Sequence, residues 1–169
     1  MRIFWMLGLL FLASFSRASI DGVSLNLTLG QVTLIGDSAT TRYSNAIGFG
    51  LDAGIVVNPM LDVLVSITKS SHSGDLSILN PRMSANFRVA HFYDVDLTVG
   101  GGPGLYSFSS SGSTETNFGL QFGTALDVVI EDSVRFGVGA RYHSVFSPSL
   151  GASFWTVMMH VGYVFGLPK

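Results

Sequence analysis

The stretch NFGLQFGTALDVVI, residues 117–130, alternates Phe118, Leu120, Phe122, Leu126, Val128 and Ile130 with Gly119, Gln121, Gly123, Ala125 and Asp127. A period of two is the period of a β-strand, so the two sets point to opposite faces of a sheet. One face is oily throughout, while the other carries a carboxylate deep in the run. Strands of soluble sheets usually stop after about six residues, and this alternation continues well beyond that.

The same pattern recurs along the chain and predicts eight strands, at 23–30, 46–56, 61–68, 81–90, 95–108, 117–130, 134–143 and 155–165. The fifth is expected to be interrupted at GGGPG, residues 100–104. Connections near 57–60, 91–94 and 131–133 are short, and Asn58-Pro59 reads as a turn because proline cannot donate to a ladder. Those near 31–45, 69–80, 109–116 and 144–154 read as longer loops rich in Ser, Thr, Gly and Asn. Short turns at one end and longer loops at the other are the habit of a transmembrane barrel.

A soluble ligand-binding barrel or a sandwich would also use alternating strands, so polarity decides. Within the eight predicted strands the oily face carries no charge. The opposite face carries Asp52, Asp62, Arg82, Arg88, Asp96, Asp127, Arg135 and Arg141, with His143 and His160, among Gly, Ser, Thr and Ala. A solvent-facing surface would present many Lys and Glu; this face presents neither. Small residues with a few Arg and Asp suit a narrow lumen, and the oily face then belongs against lipid. The predicted fold class is an all-β, eight-stranded antiparallel up-and-down transmembrane β-barrel. An even strand number puts both termini at one end. Tyr43, Phe118, Tyr142 and Trp155 then fall near the outer interface and Phe92, Tyr93, Tyr163 and Phe165 near the inner one, as two aromatic girdles.

The totals agree with one domain: 169 residues, 47% hydrophobic, 12% charged, no Cys. Residues 1–18 read as a signal peptide, with Arg2, an apolar run from Ile3 to Ala13, and Ser16 and Ala18 at the cut site. That run is short for a spanning helix, which needs about 20 residues, so an uncleaved anchor is the alternative. Residues 19–169 form the barrel domain, exported to the bacterial outer membrane. Removing Arg2 and Arg17 from the 9 Lys and Arg leaves seven basic residues against 11 acidic ones, which attracts no nucleic acid.

The run from Val99 to His143, VGGGPGLYSFSSSGSTETNFGLQFGTALDVVIEDSVRFGVGARYH, resembles the outer-membrane β-barrel domain family, the small eight-stranded barrels of OmpA/OmpX type. The resemblance lies in the Gly-rich strand, the Ser/Gly loop, the NFGLQFGTALD strand, the acidic Glu131-Asp132 turn and ARYH. It implies insertion from the periplasm by the general barrel-assembly machinery and no single activity; outer-membrane lipid and lipopolysaccharide are the expected surroundings, and a monomer the expected state. Barrels of this kind usually finish on an aromatic, whereas here Phe165 is followed by Gly166-Leu167-Pro168-Lys169.

The lumen charges are the first candidates for chemistry. Reflecting the chain about residue 131 sets Asp127 against Arg135, and reflecting it about 92 sets Arg88 against Asp96, with Asp62 near enough to join Arg88. These are expected as ion pairs in a polar plug, because buried charges without partners are costly; a gated narrow pore is the functional alternative. His143 beside Ser144 and Ser147 suggests a hydrolase. However, His143 shares the lumen face of Arg141, and the two Glu residues, Glu115 and Glu131, lie far off. His72, His91, His143 and His160 lack metal-ligand spacing. GGGPG has no Lys or following helix to make a phosphate loop, and reads as relief of crowding or a bulge. No catalytic residue, cofactor or metal is expected. The expected role is structural, anchoring or surface contact, with a narrow pore or transporter for small or hydrophobic solutes as the alternative.

Overall fold

The computed structural model describes residues 20–35, 44–131, 133–146 and 153–166. The signal segment, Tyr43, Asp132, Ser147 and the last three residues lie outside them. The described chain folds into eight antiparallel strands: β1 (Gly22–Ile35), β2 (Ala46–Asn58), β3 (Leu61–Ser71), β4 (Ser77–Phe92), β5 (Val95–Ser110), β6 (Ser113–Ile130), β7 (Val134–Val145) and β8 (Ser153–Gly166). Each pairs with its neighbours in sequence, and β8 returns to β1 to close a barrel. The closing ladder runs unbroken from Gly22↔Gly166 to Ile35↔Ser153. Closure leaves neither β1 nor β8 with an open edge along that ladder, the requirement for a sheet immersed in hydrocarbon.

The two faces divide as the alternation predicts. Leu27, Ile47 and Phe122 project outward and are 60% exposed or more, while Ser24, Asn26 and Thr28 of β1 are buried inside. An apolar belt on the outside and a polar interior invert the order of a soluble protein. Lys69, beyond the predicted third strand, stands on the outer face near the loop end of a longer β3.

The strands are longer than the periodicity suggested, chiefly toward the loop end. Residues 109–116 are not a loop. β5 and β6 continue to Ser110↔Ser113 and are joined by Ser111 and Gly112 alone, both at positive φ (47° and 87°). That is the backbone of a two-residue hairpin turn whose twist matches the strands, and glycine meets its φ without strain. Serine and threonine hydroxyls face one another across the extension, Ser107 with Thr116 at 2.8 Å and Ser109 with Thr114 at 2.9 Å. Likewise only residues 72–76 separate β3 from β4.

GGGPG does not interrupt the β5–β6 ladder, and the bulges lie elsewhere, at Val57 of β2 and Val89 of β4, both at the turn end. The glycines relieve crowding. A Cβ on Gly100 would run into the Asn86 side chain and come within 2.5 Å of the Ala85 carbonyl oxygen. Gly166, by contrast, has nothing within reach. Gly100→Val is therefore expected to cost about 1–3 kcal/mol of barrel stability and Gly166→Val to leave it unchanged, both read as the shift in urea unfolding of the lipid-embedded protein.

Candidate functional site

The lumen gathers charged side chains from six of the strands, and register decides which of them meet. On the inner face a long polar side chain on one strand repeatedly lies beside a small residue on the next and reaches over it to the strand beyond. Asp127, Gly137 and His160 stand in one row, and Asp127 Oδ1 bonds His160 Nε2 across the glycine; a Cβ at residue 137 would collide with both. Asn86, Gly100, Gly123 and Arg141 form a second row, along which Arg141 Nη2 donates to Asn86 Oδ1 at 3.1 Å over two glycines. In a third, Arg82 Nη2 lies 3.7 Å from Asp52 Oδ1 across Ser66.

Two of the expected contacts are corrected by this arrangement. Asp127 does not meet Arg135: the turn between β6 and β7 spans three residues, 131–133, so Ile130 pairs with Val134, Asp127 faces Gly137 and Arg135 faces Val129. The reflection used at the sequence level was two residues short. Arg135 crosses the lumen instead and donates to Asp62 Oδ2 at 2.7 Å, which removes Asp62 from Arg88. The third pairing forms through a different register. Arg88 lies opposite Thr98, and the bulge at Val89 brings Arg88 Nε within 2.8 Å of Asp96 Oδ2. His91 Nδ1 sits 2.6 Å from the other Asp96 oxygen.

Above these pairs, toward the loop end, polarity gives way to hydrocarbon. His143, fully buried, stacks on Phe154 with ring centres 4.3 Å apart and planes 8° from parallel. Its Nδ1 shares a hydrogen bond with the Tyr106 hydroxyl and its Nε2 one with Thr156 Oγ1, each 3.1 Å. Both nitrogens are thus engaged by residues other than Ser144, and Ser147 lies outside the described residues. Tyr106, Phe108 and Phe154 join Val32, Leu34, Leu76, Ile78 and Val145 in a buried apolar cluster. The sequence reading missed this cap because most of its members lie in segments assigned to loops. Their signal was present: apart from Leu76 in the β3–β4 connection, they keep the inward parity of their strands.

The lumen thus has three levels. A vestibule of about 780 Å³ opens at the turn end beside Arg88, His91, Asp96 and Arg135. A separate cavity of about 80 Å³ lies among the charged rows, with Leu64 and Met158 on its wall. That volume holds roughly two or three waters. The apolar cap lies beyond. On the outside, Phe122, Tyr142 and Trp155 pack in a chain with centroids 5.4 and 5.2 Å apart, and Tyr163 meets Phe165 at 4.7 Å near the opposite end. Phe118 lies against Phe146, while Phe92 and the almost fully exposed Tyr93 project at the β4–β5 turn.

No family model matches the chain, and no curated protein matches it in sequence. Solved structures do match in shape. Neisserial surface protein A superposes with a TM-score of 0.74 at 17% identity, over 85% of this chain and 97% of that one. The N-terminal β-barrel domain of Pseudomonas aeruginosa OprF gives 0.65 at 12% identity, over 87% and 100%. This chain has the fold of the small eight-stranded outer-membrane barrels. Ail, the attachment invasion locus protein of Yersinia pestis, in complex with the heparin analogue sucrose octasulfate, shares the fold at a TM-score of 0.58 and 19% identity, over 86% and 100%.

The observed pairing is checked by two double-mutant cycles in urea. Asp62→Asn with Arg135→Gln is expected to show a coupling of about 1–3 kcal/mol, and Asp127→Asn with Arg135→Gln a coupling below about 0.5 kcal/mol.

Proposed function

We propose that this protein is a monomeric, integral outer-membrane β-barrel of structural, anchoring or surface-contact role, and not an enzyme. The observation that carries this reading is the lumen: charged rows bonded across the barrel, with a buried apolar and aromatic cap above them. A through-pore needs a continuous wet path, and Tyr106, His143 and Phe154 lie across it, the first two without accessible surface. Filling the lumen with bonded side chains makes the barrel rigid and its own plug.

Residues 1–18 act as the export signal in this reading, and the assembly machinery inserts residues 19–169 from the periplasm, leaving both termini there. The apolar belt sits in lipid, with lipopolysaccharide around the loop end, and the outward aromatics, Tyr43 among them, mark the interfaces. The loop end then faces outside the cell. There, among the described residues, 113–118 of β6 pair with β5 and the β6–β7 ladder begins at Gly119↔Val145. This Ser/Thr hairpin is the natural contact surface, since specificity on a rigid scaffold belongs to its loop tips.

The sealed lumen is tested by conductance in planar bilayers. The wild-type protein is expected to give no single-channel events, and Tyr106→Ala with Phe154→Ala to give small ones. Steady conductance from the wild type would overturn the plugged reading in favour of a narrow pore.

A further inference from the structure

The β4–β5 ladder has two gaps in one constant register, at residues 80–81 and 83–84 of β4, which the other ladders lack. Leu79↔Ser107 stands before them, Arg82↔Gly104 between them and Ala85↔Gly101 beyond them. That register would set Pro81 against Leu105 and Met83 against Pro103, and neither pair is bonded in the ladder. Each contains a proline, which has no N–H to give. Two carbonyl oxygens, those of Leu105 and Met83, are therefore deprived of their ladder donors within a wall whose outer face is apolar, where an unsatisfied carbonyl is costly.

Lumen amides stand in for the missing donors. Asn80 Nδ2 donates to the Leu105 oxygen at 3.0 Å and Gln121 Nε2 to the Met83 oxygen at 3.2 Å. Both amides are oriented from behind by an arginine. Arg82 Nη1 donates to Asn80 Oδ1 at 3.2 Å, and Arg141 Nη1 to Gln121 Oε1 at 2.8 Å. A guanidinium only donates, so it holds the amide oxygen toward itself and turns the NH₂ toward the wall. The arginines are anchored in turn, Arg82 on Thr68 at 2.6 Å and beside Asp52, Arg141 on Asn86.

We infer that the β4–β5 seam is where this barrel wall opens first, and that Arg82 and Arg141 latch it from the lumen through Asn80 and Gln121. The two arginines are then positioning residues for the wall as well as fillers of the lumen. Elsewhere a ladder bond breaks only if backbone moves; at this seam, rotation of one side chain breaks it.

Hydrogen–deuterium exchange of the whole barrel in phospholipid nanodiscs reads this directly. Peptides covering residues 79–87 and 99–107 are expected to exchange faster than those of the β1–β8 closure. Gln121→Leu should accelerate them about tenfold more, the effect of one lost hydrogen bond. Pro103→Ala restores a backbone N–H opposite Met83, so Gln121→Leu in that background should leave seam exchange unchanged. Arg141→Gln should accelerate the seam only while Gln121 is present. Should Gln121→Leu fail to fold, Pro103→Ala alone decides, by slowing seam exchange. Equal exchange at the two seams, no slowing by Pro103→Ala, or a Gln121→Leu effect that survives Pro103→Ala would each overturn the proposal.

Discussion

Backbone groups that face hydrocarbon must find their partners inside the protein, and the rest of this structure follows from that demand. A strand has open donors and acceptors on two sides, so a sheet in lipid is complete only when its last strand meets its first. Here β8 meets β1 over the whole length of both, from Gly22↔Gly166 to Ile35↔Ser153. Once the sheet is closed, side-chain alternation gives an outside and an inside with no further choice. Every second residue must suit lipid, and every other must fit within a tube of eight strands.

The second demand, filling the tube, explains the sequence's use of glycine. Inward side chains from neighbouring strands cannot all be large. Gly137 lets Asp127 meet His160, and Gly100 with Gly123 lets Arg141 reach Asn86. Long polar chains thus find partners two strands away or across the lumen, as Arg135 does with Asp62. The same arms serve the wall itself where Pro81 and Pro103 leave it short of donors. Toward the loop end the lumen changes to packed hydrocarbon around Tyr106 and Phe154, so one end is stabilised by ion pairs and the other by burial.

In the proposed reading, an interior occupied by the barrel's own side chains leaves two working surfaces, the lipid-facing belt and the loop end. The belt serves residence in the bilayer. The loop end carries the hairpin between β5 and β6, whose Ser107–Thr116 and Ser109–Thr114 pairs continue the sheet.

Period-two alternation determined the number of strands, their up-and-down order and the inward parity of Asp52, Asp62, Asp96, Asp127 and their arginines, because side-chain direction is a local property of an extended backbone. It also led to the Arg88–Asp96 contact, since a turn of two residues and a bulge keep these groups within reach. The same local rule misled after Ile130, where the strands fold about residue 132 and not 131, so that Arg135 went to Asp62 and Asp127 to His160. Serine-rich segments read as loops became strand, because Ser and Thr pair across a ladder as readily as they solvate a turn, and with them the apolar cap was missed. Partners across the lumen, the cap and the amides that replace proline donors were decided only by closure. They join residues far apart in the chain, and their meeting depends on register, which local patterning does not encode.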